Sequence, residues 1–222
     1  MFSDDFKKRV YYFLKRIIDI FGSIFLLILF SPIMLITAIA IKLTSEGPVF
    51  ADIPMRVGKD GKKFKLYKFR SMIVNAHVLM KTDPKFKKLY KKYKKSSYKI
   101  SINEDPRITT VGRFIRKYSI DEMPQFINVL RGEMSIVGPR AYYPDELKEQ
   151  QKKYPHTKAL VKKVLKVKPG ITGYWQVSGR NEVNFDKRIE MDAYYAQKCS
   201  IFFDIWIMLK TPWVMISGKG AL

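Results

Sequence analysis

The hydrophobic positions of this chain are concentrated in one N-terminal run, residues 17–41, which reads IIDIFGSIFLLILFSPIMLITAIAI. The run contains a single charged residue, Asp19. As a straight helix it would be about 37 Å long, which exceeds the roughly 30 Å hydrocarbon layer of a bilayer. The pattern therefore predicts a membrane-embedded helix, and its length fits a cleaved signal peptide poorly.

Two features leave the path of this helix open. Ser31-Pro32 lies near the middle of the run, and proline removes a backbone donor, so a kink is expected there. Both flanks are basic, the N-terminal one through residues such as Lys15 and Arg16. Because basic flanks prefer the cytoplasm, the pattern fits a kinked transmembrane helix and a re-entrant hairpin within one leaflet equally well.

The periodicity downstream predicts a small domain of helices and short strands. Residues 57–69 predict a β-hairpin, because Asp60-Gly61 is a turn signal and apolar residues alternate with lysines after it. Residues 108–117 fit a helix or a strand. The other expected elements are a basic helix in 74–99, a helix from about 121 that ends at Gly132, a strand at 134–137, a helix in 143–166 broken at Pro155, a loop at 168–173, a helix in 185–197 and a core helix at 201–209, preferred there over an interfacial one.

Composition adds a strong positive charge to this picture. Lys and Arg number 42 against 20 Asp and Glu, which gives a formal net charge of +22 and predicts attraction to polyanions. The lysines concentrated in 85–99 form either a solvated face or a contact with anionic membrane lipid. No nucleic-acid-binding motif accompanies them, so no nucleic acid partner is expected. The single cysteine, Cys199, excludes an internal disulfide and a cysteine zinc centre.

An acidic pair, Asp121-Glu122, stands out among these cations. Its structural explanation is helix capping, either by a Ser119–Glu122 capping box or by Asp121 as N-cap with Pro124 in the first turn. Its chemical explanation is phosphoryl transfer. An ionised carboxylate can attack phosphorus or bind Mg²⁺ together with substrate phosphates, while nearby arginines neutralise the transferred group.

Four segments resemble those of bacterial polyprenyl-phosphate phosphoglycosyl transferases, the monotopic sugar transferases that initiate capsule, exopolysaccharide and O-antigen synthesis. They are KFRSM (68–72), DPRIT (105–109), VGRFIRKYSIDEMPQFINVLRGEMSIVGPR (111–140) and KPGITGYWQVSGRN (168–181). The resemblance implies transfer of a sugar-1-phosphate from a UDP-sugar to undecaprenyl phosphate, with release of UMP. It implies Asp121 as the nucleophile that carries a covalent phosphosugar beside Mg²⁺, assisted by Glu122.

The resemblance also implies an architecture. The expected fold is α+β, mostly helical with short strands, with residues 1–45 forming a re-entrant membrane helix broken at Ser31-Pro32. Residues 46–222 are expected to form a compact catalytic domain on the cytoplasmic face of the bacterial inner membrane, with 74–102 as a basic helical insertion. The sugar and the oligomeric state stay open, with a homodimer allowed. Direct transfer in a ternary complex and a non-catalytic basic membrane adaptor are the alternatives.

Arginines are the candidate phosphate or pyrophosphate ligands, because a guanidinium group binds phosphate in a bidentate manner. Arg140 ranks first, since Pro139-Arg140 matches a substrate-binding motif of the family. The other candidates are Arg70, Arg107, Arg113 and Arg116, each of which could instead form an ordinary ion pair. Gln176 and Trp175 are expected near the nucleotide or sugar, although Trp175 fits the core equally well. Arg180, Asp186, Arg188 and Asp192 fit a structural ion-pair network as well as a site.

Overall fold

The computed structural model describes residues 4–96, 98, 100–178 and 183–216. Within these residues the fold is mostly helical with short strands, which confirms the predicted α+β class. The helices are α1 (Asp4–Thr44), α2 (Ala76–Thr82), α3 (Lys87–Lys95), α4 (Thr110–Lys117), α5 (Gln125–Leu130), α6 (Pro144–Lys153), α7 (Lys158–Val164), α8 (Tyr174–Ser178), α9 (Phe185–Lys198) and α10 (Ile201–Ile216). The strands are β1 (Arg56–Val57), β2 (Lys63–Phe64), β3 (Ser135–Val137) and β4 (Gly170–Thr172).

The predicted membrane helix is the long N-terminal helix α1, which continues through Pro32. Because Pro32 has no N–H, the carbonyl of Ile28 loses its usual helical donor. The hydroxyl of Ser31 donates to that carbonyl at 2.8 Å, as expected for a serine beside a helical proline. The backbone therefore stays helical across Ser31-Pro32, and a hairpin with two separate arms is not confirmed.

The charge within the apolar run attaches α1 to the rest of the protein. Asp19 is 3% exposed, and its Oδ1 accepts hydrogen bonds from the Ser135 hydroxyl and the Ile136 N–H, both at 2.9 Å. Gly22 lies one turn further on, where an added Cβ would come within 2.8 Å of Ile136. The small residue and the buried carboxylate thus bring α1 close to β3.

Two cations of the N-terminal flank also face the protein. Lys15 forms an ion pair with Asp204 of α10 at 2.7 Å. Arg16 donates to the carbonyls of Val129 and Leu130 at 2.6 and 2.8 Å, at the C-terminal end of α5. Both side chains were expected only as a cytoplasm-preferring flank, and they instead tie α1 to two other helices.

The C-terminal half of α1 makes a second contact with the same domain. Ile41 is buried with Phe69 and Ile115, and Met34 and Ala38 pack against this cluster. The opposite face of the helix is apolar and exposed. By length and composition α1 is a candidate membrane helix. Only 11% of its most apolar 18-residue stretch is buried against the rest of the protein. The large exposed apolar side chains on α1 include Phe21, Phe25, Ile28, Leu29, Leu35, Ile36 and Leu43.

The predicted hairpin is confirmed but is shorter than expected. β1 and β2 pair antiparallel, Arg56 with Phe64, and β2 ends there rather than at Phe69. Asp60 and Gly61 occupy the left-handed region, with φ of +54° and +79°, as the Asp-Gly signal predicts. The strand at 134–137 is also confirmed, as β3.

The predicted loop at 168–173 is wrong in its middle. Gly170–Thr172 forms β4, which runs parallel to β3 with Ser135 opposite Gly170. The two backbones approach so closely that a Cβ on Gly170 would lie 2.0 Å from the nitrogen of Gly138. Glycine and proline favour a loop in sequence-based interpretation, whereas here the missing side chains permit the strand contact.

The predicted basic helix in 74–99 is interrupted. A 3₁₀ turn at Pro84–Phe86 separates α2 from α3, because Pro84 cannot donate within a helix and Asp83 accepts from the Lys85 N–H at 2.8 Å. Residues 108–117 adopt the helical alternative as α4, which Thr109 caps by accepting from the Gly112 N–H. The break expected at Pro155 is confirmed between α6 and α7.

The C-terminal helix is longer than predicted, since α10 extends from Ile201 to Ile216. Its inner face, with Asp204 and Ile207, is buried as expected for a core helix. Its outer face exposes Phe202 and Trp213, which matches the interfacial alternative. The preference for a core helix is therefore right for one face only.

Replacing Asp19 tests how α1 is attached. We expect D19A to lower the free energy of unfolding by about 1–3 kcal/mol, because the Ser135 hydroxyl and the Ile136 N–H lose their acceptor in a buried place. Thermal unfolding in a mild detergent measures the change. Asp5 lies on the same helix and is exposed, so D5A is the control and should leave the transition in place. Equal stability of both variants would contradict this attachment.

Candidate active site

A cleft of about 940 Å³ contains the acidic pair. One wall is apolar and comes from α1 and α10, with Phe25, Leu26, Phe30, Met208 and Val214 among its residues. The remaining lining is rich in cationic, aromatic and polar groups, including Arg56, His77, Tyr93, Arg140, Tyr143 and Trp175. The cleft thus offers two chemically different environments beside one pair of carboxylates.

Backbone and amide hydrogen bonds position the acidic pair. The Phe69 N–H donates to the Asp121 carbonyl at 2.9 Å, which aligns the segment around residue 69 with the turn at Ile120–Glu122. Buried Asn128 of α5 fixes the preceding residues, since its Oδ1 accepts from the Tyr67 N–H and its Nδ2 donates to the Lys65 carbonyl. Lys68 lies between these two attachments and is thereby carried to the carboxylates.

The ammonium group of Lys68 joins the two carboxylates. Its Nζ lies 2.9 Å from Oδ2 of Asp121 and 3.1 Å from Oε1 of Glu122. Asp121 is buried, whereas 39% of the Glu122 side chain is exposed. One cation therefore compensates two adjacent anions, one at the bottom of the cleft and one nearer its surface.

The surrounding groups raise the pKa of Asp121 and lower the pKa of Glu122. Burial raises the pKa of Asp121, and Glu122 adds to this, so that Lys68 and Arg116 offset the rise only in part. Partial burial also opposes ionisation of Glu122, but Lys68, Arg140 and Arg56 outweigh it and lower its pKa. Burial lowers the pKa of Lys68, and the two carboxylates more than reverse this. Lys68 therefore stays protonated, and Asp121 holds the more strongly basic carboxylate.

The capping explanation of the acidic pair is wrong. Ser119 adopts the left-handed conformation, with φ of +56°, and makes no side-chain capping hydrogen bond to the turn that follows. Helix α5 begins after Pro124, outside the reach of either proposed capping register. The carboxylates are thus available to the cleft.

Arg140 and Arg116, two of the predicted phosphate ligands, line this cleft. The Arg140 backbone N–H donates to buried Asp192 at 3.2 Å, and its guanidinium carbon lies 5.6 Å from the Trp175 ring centroid. Gln176 also lines the cleft, with its Oε1 buried. These side chains therefore share the cleft with the acidic pair, and their role as substrate ligands stays a prediction.

Other candidates have structural contacts of their own. Arg70 donates to the carbonyls of residues 48 and 45 at 2.5 and 3.0 Å, which ties down the segment after α1. Arg107 forms a buried bidentate ion pair with Asp105. Both line the cleft with much of their donor capacity already used. Arg113 is exposed on α4 and Pro139 is buried, and neither belongs to the cleft lining.

The predicted ion-pair network has different partners. Buried Arg188 pairs with Glu146 at 3.0 Å. Asp192 instead accepts from the Tyr142 hydroxyl at 2.8 Å and from the Arg140 backbone, and its burial raises its pKa to about 7. Arg180 lies outside the described residues. Asp192 and Arg188 thus form separate buried contacts, and that of Asp192 holds the Arg140 backbone at the cleft.

The family of the chain follows from a comparison with known sequences. The model of the family described as "Bacterial sugar transferase" matches residues 10–218, almost the whole chain. The chain belongs to the bacterial sugar transferase family. This sugar transferase is 42% identical over 99% of its length to the "Undecaprenyl-phosphate galactose phosphotransferase" of Salmonella typhimurium, of which it covers 44%.

Two further relatives show the range of the family. The "UDP-galactose-lipid carrier transferase" of Erwinia amylovora is 38% identical over 99% of this chain and 44% of that protein. The "Exopolysaccharide production protein ExoY" of Rhizobium meliloti is 37% identical over 93% of this chain and 87% of that protein. The sugar transferase therefore spans less than half the length of some relatives and most of others.

Two residues of the cleft, Lys68 and Arg56, were not among the candidates from the sequence. Lys68 is part of the KFRSM segment, which was the available signal, but its charge is one among many along the chain. Arg56 precedes the predicted hairpin, and no pattern distinguished it. Both become recognisable only when the fold brings them to the acidic pair.

Asp121 is the predicted magnesium ligand, and the structure shows which other metal-binding side chains lie near it. The part of the chain that the structure describes contains no group of three or more His, Cys, Asp or Glu that could hold a metal. Mg²⁺ needs less than that, since it is often held by one or two carboxylates and by substrate phosphates. Lys68 pairs with Oδ2 of Asp121 and Oε1 of Glu122, so among the described residues the second oxygen of each carboxylate has no ion pair. Asp121 with Glu122 therefore fits Mg²⁺ that arrives with a phosphorylated substrate.

Neutralising Lys68 tests the charge balance of the pair. In K68M we expect the pKa of Asp121 to move further up, because Lys68 lowers it in the native protein. A pH titration of carboxyl-¹³C-labelled aspartate by NMR, with the D121N spectrum identifying the signal, measures the midpoint. Exposed Lys65 provides the control K65M, which should leave the midpoint unchanged. An Asp121 signal that titrates identically in K68M and the parent protein would contradict the role of Lys68.

Proposed function

We propose that this sugar transferase moves a sugar-1-phosphate from a UDP-sugar to undecaprenyl phosphate through a covalent intermediate on Asp121. The main support for this proposal is the position of Asp121. It is buried beside Lys68 in a cleft that combines an apolar wall with cationic and aromatic groups. A diphosphosugar suits the charged lining and a polyprenyl chain suits the apolar wall. The names of the relatives, which mention UDP-galactose and undecaprenyl phosphate, agree with both substrates.

The first half of the reaction uses Asp121 as the nucleophile. A carboxylate oxygen of Asp121 bonds to the phosphorus that carries the sugar, while the bridging P–O bond breaks and its electron pair leaves with UMP. Lys68 lowers the pKa of Asp121 and so favours its ionised form before attack, and it faces the phosphoryl oxygens as the new bond forms. Arg116, which also lowers the pKa of Asp121, adds positive charge to the same place.

The second half regenerates the enzyme. A phosphate oxygen of undecaprenyl phosphate attacks the phosphorus of the acyl phosphate, and the Asp121 carboxylate departs with the electrons of the broken bond. The apolar wall of α1 and α10 guides the polyprenyl chain so that its phosphate reaches Asp121. Mg²⁺, held by Asp121 and Glu122 with substrate phosphates, would supply additional neutralisation of phosphate charge.

We further propose that α1 enters and leaves one leaflet of the cytoplasmic membrane. Residues 11–27 of α1, and residues 34–44 with the adjoining Ser45, contribute the contacts with the catalytic domain. Only 28–33 lie between these contacts, a length of about 9 Å, too short for a bilayer of roughly 30 Å. An element attached to one domain on both sides of Pro32 fits a shallow insertion on the cytoplasmic face better than a full span.

The covalent intermediate is the decisive prediction. Incubation with the correct UDP-sugar in the absence of lipid acceptor should leave a sugar-phosphate mass on the peptide that contains Asp121. We expect D121N to give no such mass and to lose about 10³-fold or more in UMP release, because an amide oxygen is a poor nucleophile. A panel of UDP-sugars, screened by UMP release with and without a chelator, identifies the donor first.

Asp145 provides a matched control, since it is an exposed aspartate of the same domain outside the cleft lining. D145N should form the adduct and turn over normally. A D121N enzyme that is as active as its parent would refute the nucleophile. Turnover that depends on Asp121 without any adduct would instead indicate direct transfer, with Asp121 or Glu122 as a base on the lipid phosphate.

The path of α1 can be tested by labelling with a membrane-impermeant maleimide. Cys199 is first replaced by serine, and single cysteines are introduced at exposed positions as K8C, K42C and K162C, the last in α7 of the catalytic domain. For a re-entrant α1 we expect all three to react in inverted membrane vesicles and to be protected in spheroplasts. K8C that reacts from the side opposite to K162C would show a full span.

A further inference from the structure

Arg56 has a cleft position that the proposed reaction does not yet use. It belongs to β1, is 8% exposed and lines the same cleft as Asp121. Its Nη1 donates to the Ala141 carbonyl at 2.9 Å, and its guanidinium carbon lies 3.4 Å from the centroid of the Tyr143 ring. A backbone acceptor and a stacked ring thus fix the plane of this guanidinium.

This guanidinium retains unused donor capacity. The Nε of Arg56 is buried and has no hydrogen-bond partner among the described residues. Leaving a charged donor unpaired in a buried place is costly, so an anionic ligand at this position would compensate it. Arginine in a fixed orientation suits an oxyanion such as phosphate, which accepts two parallel N–H donors.

Arg140 presents a second guanidinium to the same cleft. Its Nε is likewise buried without a hydrogen-bond partner among the described residues, and its guanidinium faces the Trp175 ring. Arg56 is bonded to the carbonyl of Ala141, the residue next to Arg140 in the chain. The protein therefore fixes two arginines close together, each beside an aromatic ring and each with an unused donor.

The cations of the cleft divide into two groups. Lys68 forms ion pairs with both carboxylates, at 2.9 and 3.1 Å. Among the described residues no ion pair joins Arg56 or Arg140 to the acidic pair, and each keeps a buried Nε without a partner. One group therefore already compensates the carboxylates, and the other remains for a second anion. A diphosphate has two phosphates that need neutralisation, and only one of them is attacked.

We propose that Arg56, together with Arg140, binds the phosphate of the sugar donor that departs with the nucleoside. This inference rests on the proposed function, and it assigns the phosphate attacked by Asp121 to Lys68 and Arg116. When the bridging P–O bond breaks, its electron pair and the new negative charge remain on the nucleoside monophosphate. Arg56 and Arg140 receive that charge, so they act in adduct formation and not in transfer to the lipid.

The first test is binding of UMP and UDP to the full chain in detergent, measured by isothermal titration calorimetry. We expect R56M to bind both nucleotides roughly 10- to 100-fold more weakly, since a charge-assisted hydrogen bond is lost. R56K should recover part of the loss, because it keeps the charge but not the planar fork. Thermal unfolding of each variant identifies loss of the fold, in which case R56K alone carries the comparison.

Arg131 supplies a matched control. Its guanidinium carbon lies 4.9 Å from the Tyr67 ring centroid, so it also packs on a tyrosine, but it does not line the cleft. R131M removes the same charge from the protein and should bind UMP as the parent does. Equal weakening by R131M and R56M would attribute the effect to overall charge and would overturn the proposal.

The second test separates the two halves of the reaction. The adduct on Asp121 is formed with the UDP-sugar, followed by intact-protein mass spectrometry, and is then transferred to added undecaprenyl phosphate. R56M should slow adduct formation roughly 10- to 100-fold, as for the loss of a charged contact, and leave the transfer rate within about twofold. Unchanged UMP binding, or equal slowing of both halves, would overturn the proposal.

The two proposals fail in different ways. If the parent enzyme forms no adduct with any UDP-sugar, the covalent mechanism fails, and UMP binding by R56M and R131M still decides the role of Arg56. If the adduct forms and R56M binds UMP normally, the covalent mechanism stands and the assignment of Arg56 is wrong.

Discussion

The ion pairs of Lys68 with Asp121 and Glu122 are the interaction on which the cleft depends. Two adjacent carboxylates repel one another, and burial of either favours its protonated form. The fold meets this constraint by delivering one ammonium group to both. Asn128 holds the backbone before Lys68, and the Phe69 N–H holds the backbone after it against Asp121. The scaffold around the pair therefore serves mainly to keep one lysine in place.

Helix α1 and the rest of the described structure form one unit because α1 also carries charges that need partners. Asp19, Lys15 and Arg16 would be costly in an apolar environment, and each finds a partner in β3, α10 or α5. Their pairing leaves the outward face of α1 apolar. The apolar wall of the cleft comes from the same helix. The attachment of α1 and the apolar wall of the cleft are thus consequences of one amphipathic arrangement.

The elements with a strong local signal were predicted well from the sequence. The Asp60-Gly61 turn and the break at Pro155 follow from backbone chemistry that neighbours do not override. The break expected at Ser31-Pro32 is not seen, since α1 continues through Pro32 and the Ser31 hydroxyl donates to the Ile28 carbonyl. Strand β4 was missed because glycine allows a close backbone contact that only the partner strand reveals. The capping hypothesis failed because Ser119 adopts a left-handed conformation that a sequence motif does not encode.

The residues of the candidate site also differ in whether a local sequence motif identifies them. Asp121 and Arg140 were identified through family motifs, and both line the cleft. Arg70 and Arg107 were indistinguishable from them in sequence, although their donors bind carbonyls and Asp105. Lys68 and Arg56 were hidden among 42 cations. The tertiary structure determines which arginines and lysines already have partners. Residue type and spacing in the sequence therefore cannot show which of them remain available for a ligand.

The exposed apolar faces of α1 and α10 have a consequence for how the proposed lipid and nucleotide substrates would arrive. Side chains such as Phe21, Leu43, Phe202 and Trp213 give the molecule a surface that water does not solvate well. A protein resting on a bilayer by such a surface meets a lipid by lateral diffusion in the plane and a nucleotide by diffusion from bulk water. The rate of encounter with the lipid then depends on its amount per membrane area. The rate of encounter with the nucleotide depends on its amount per volume of solution.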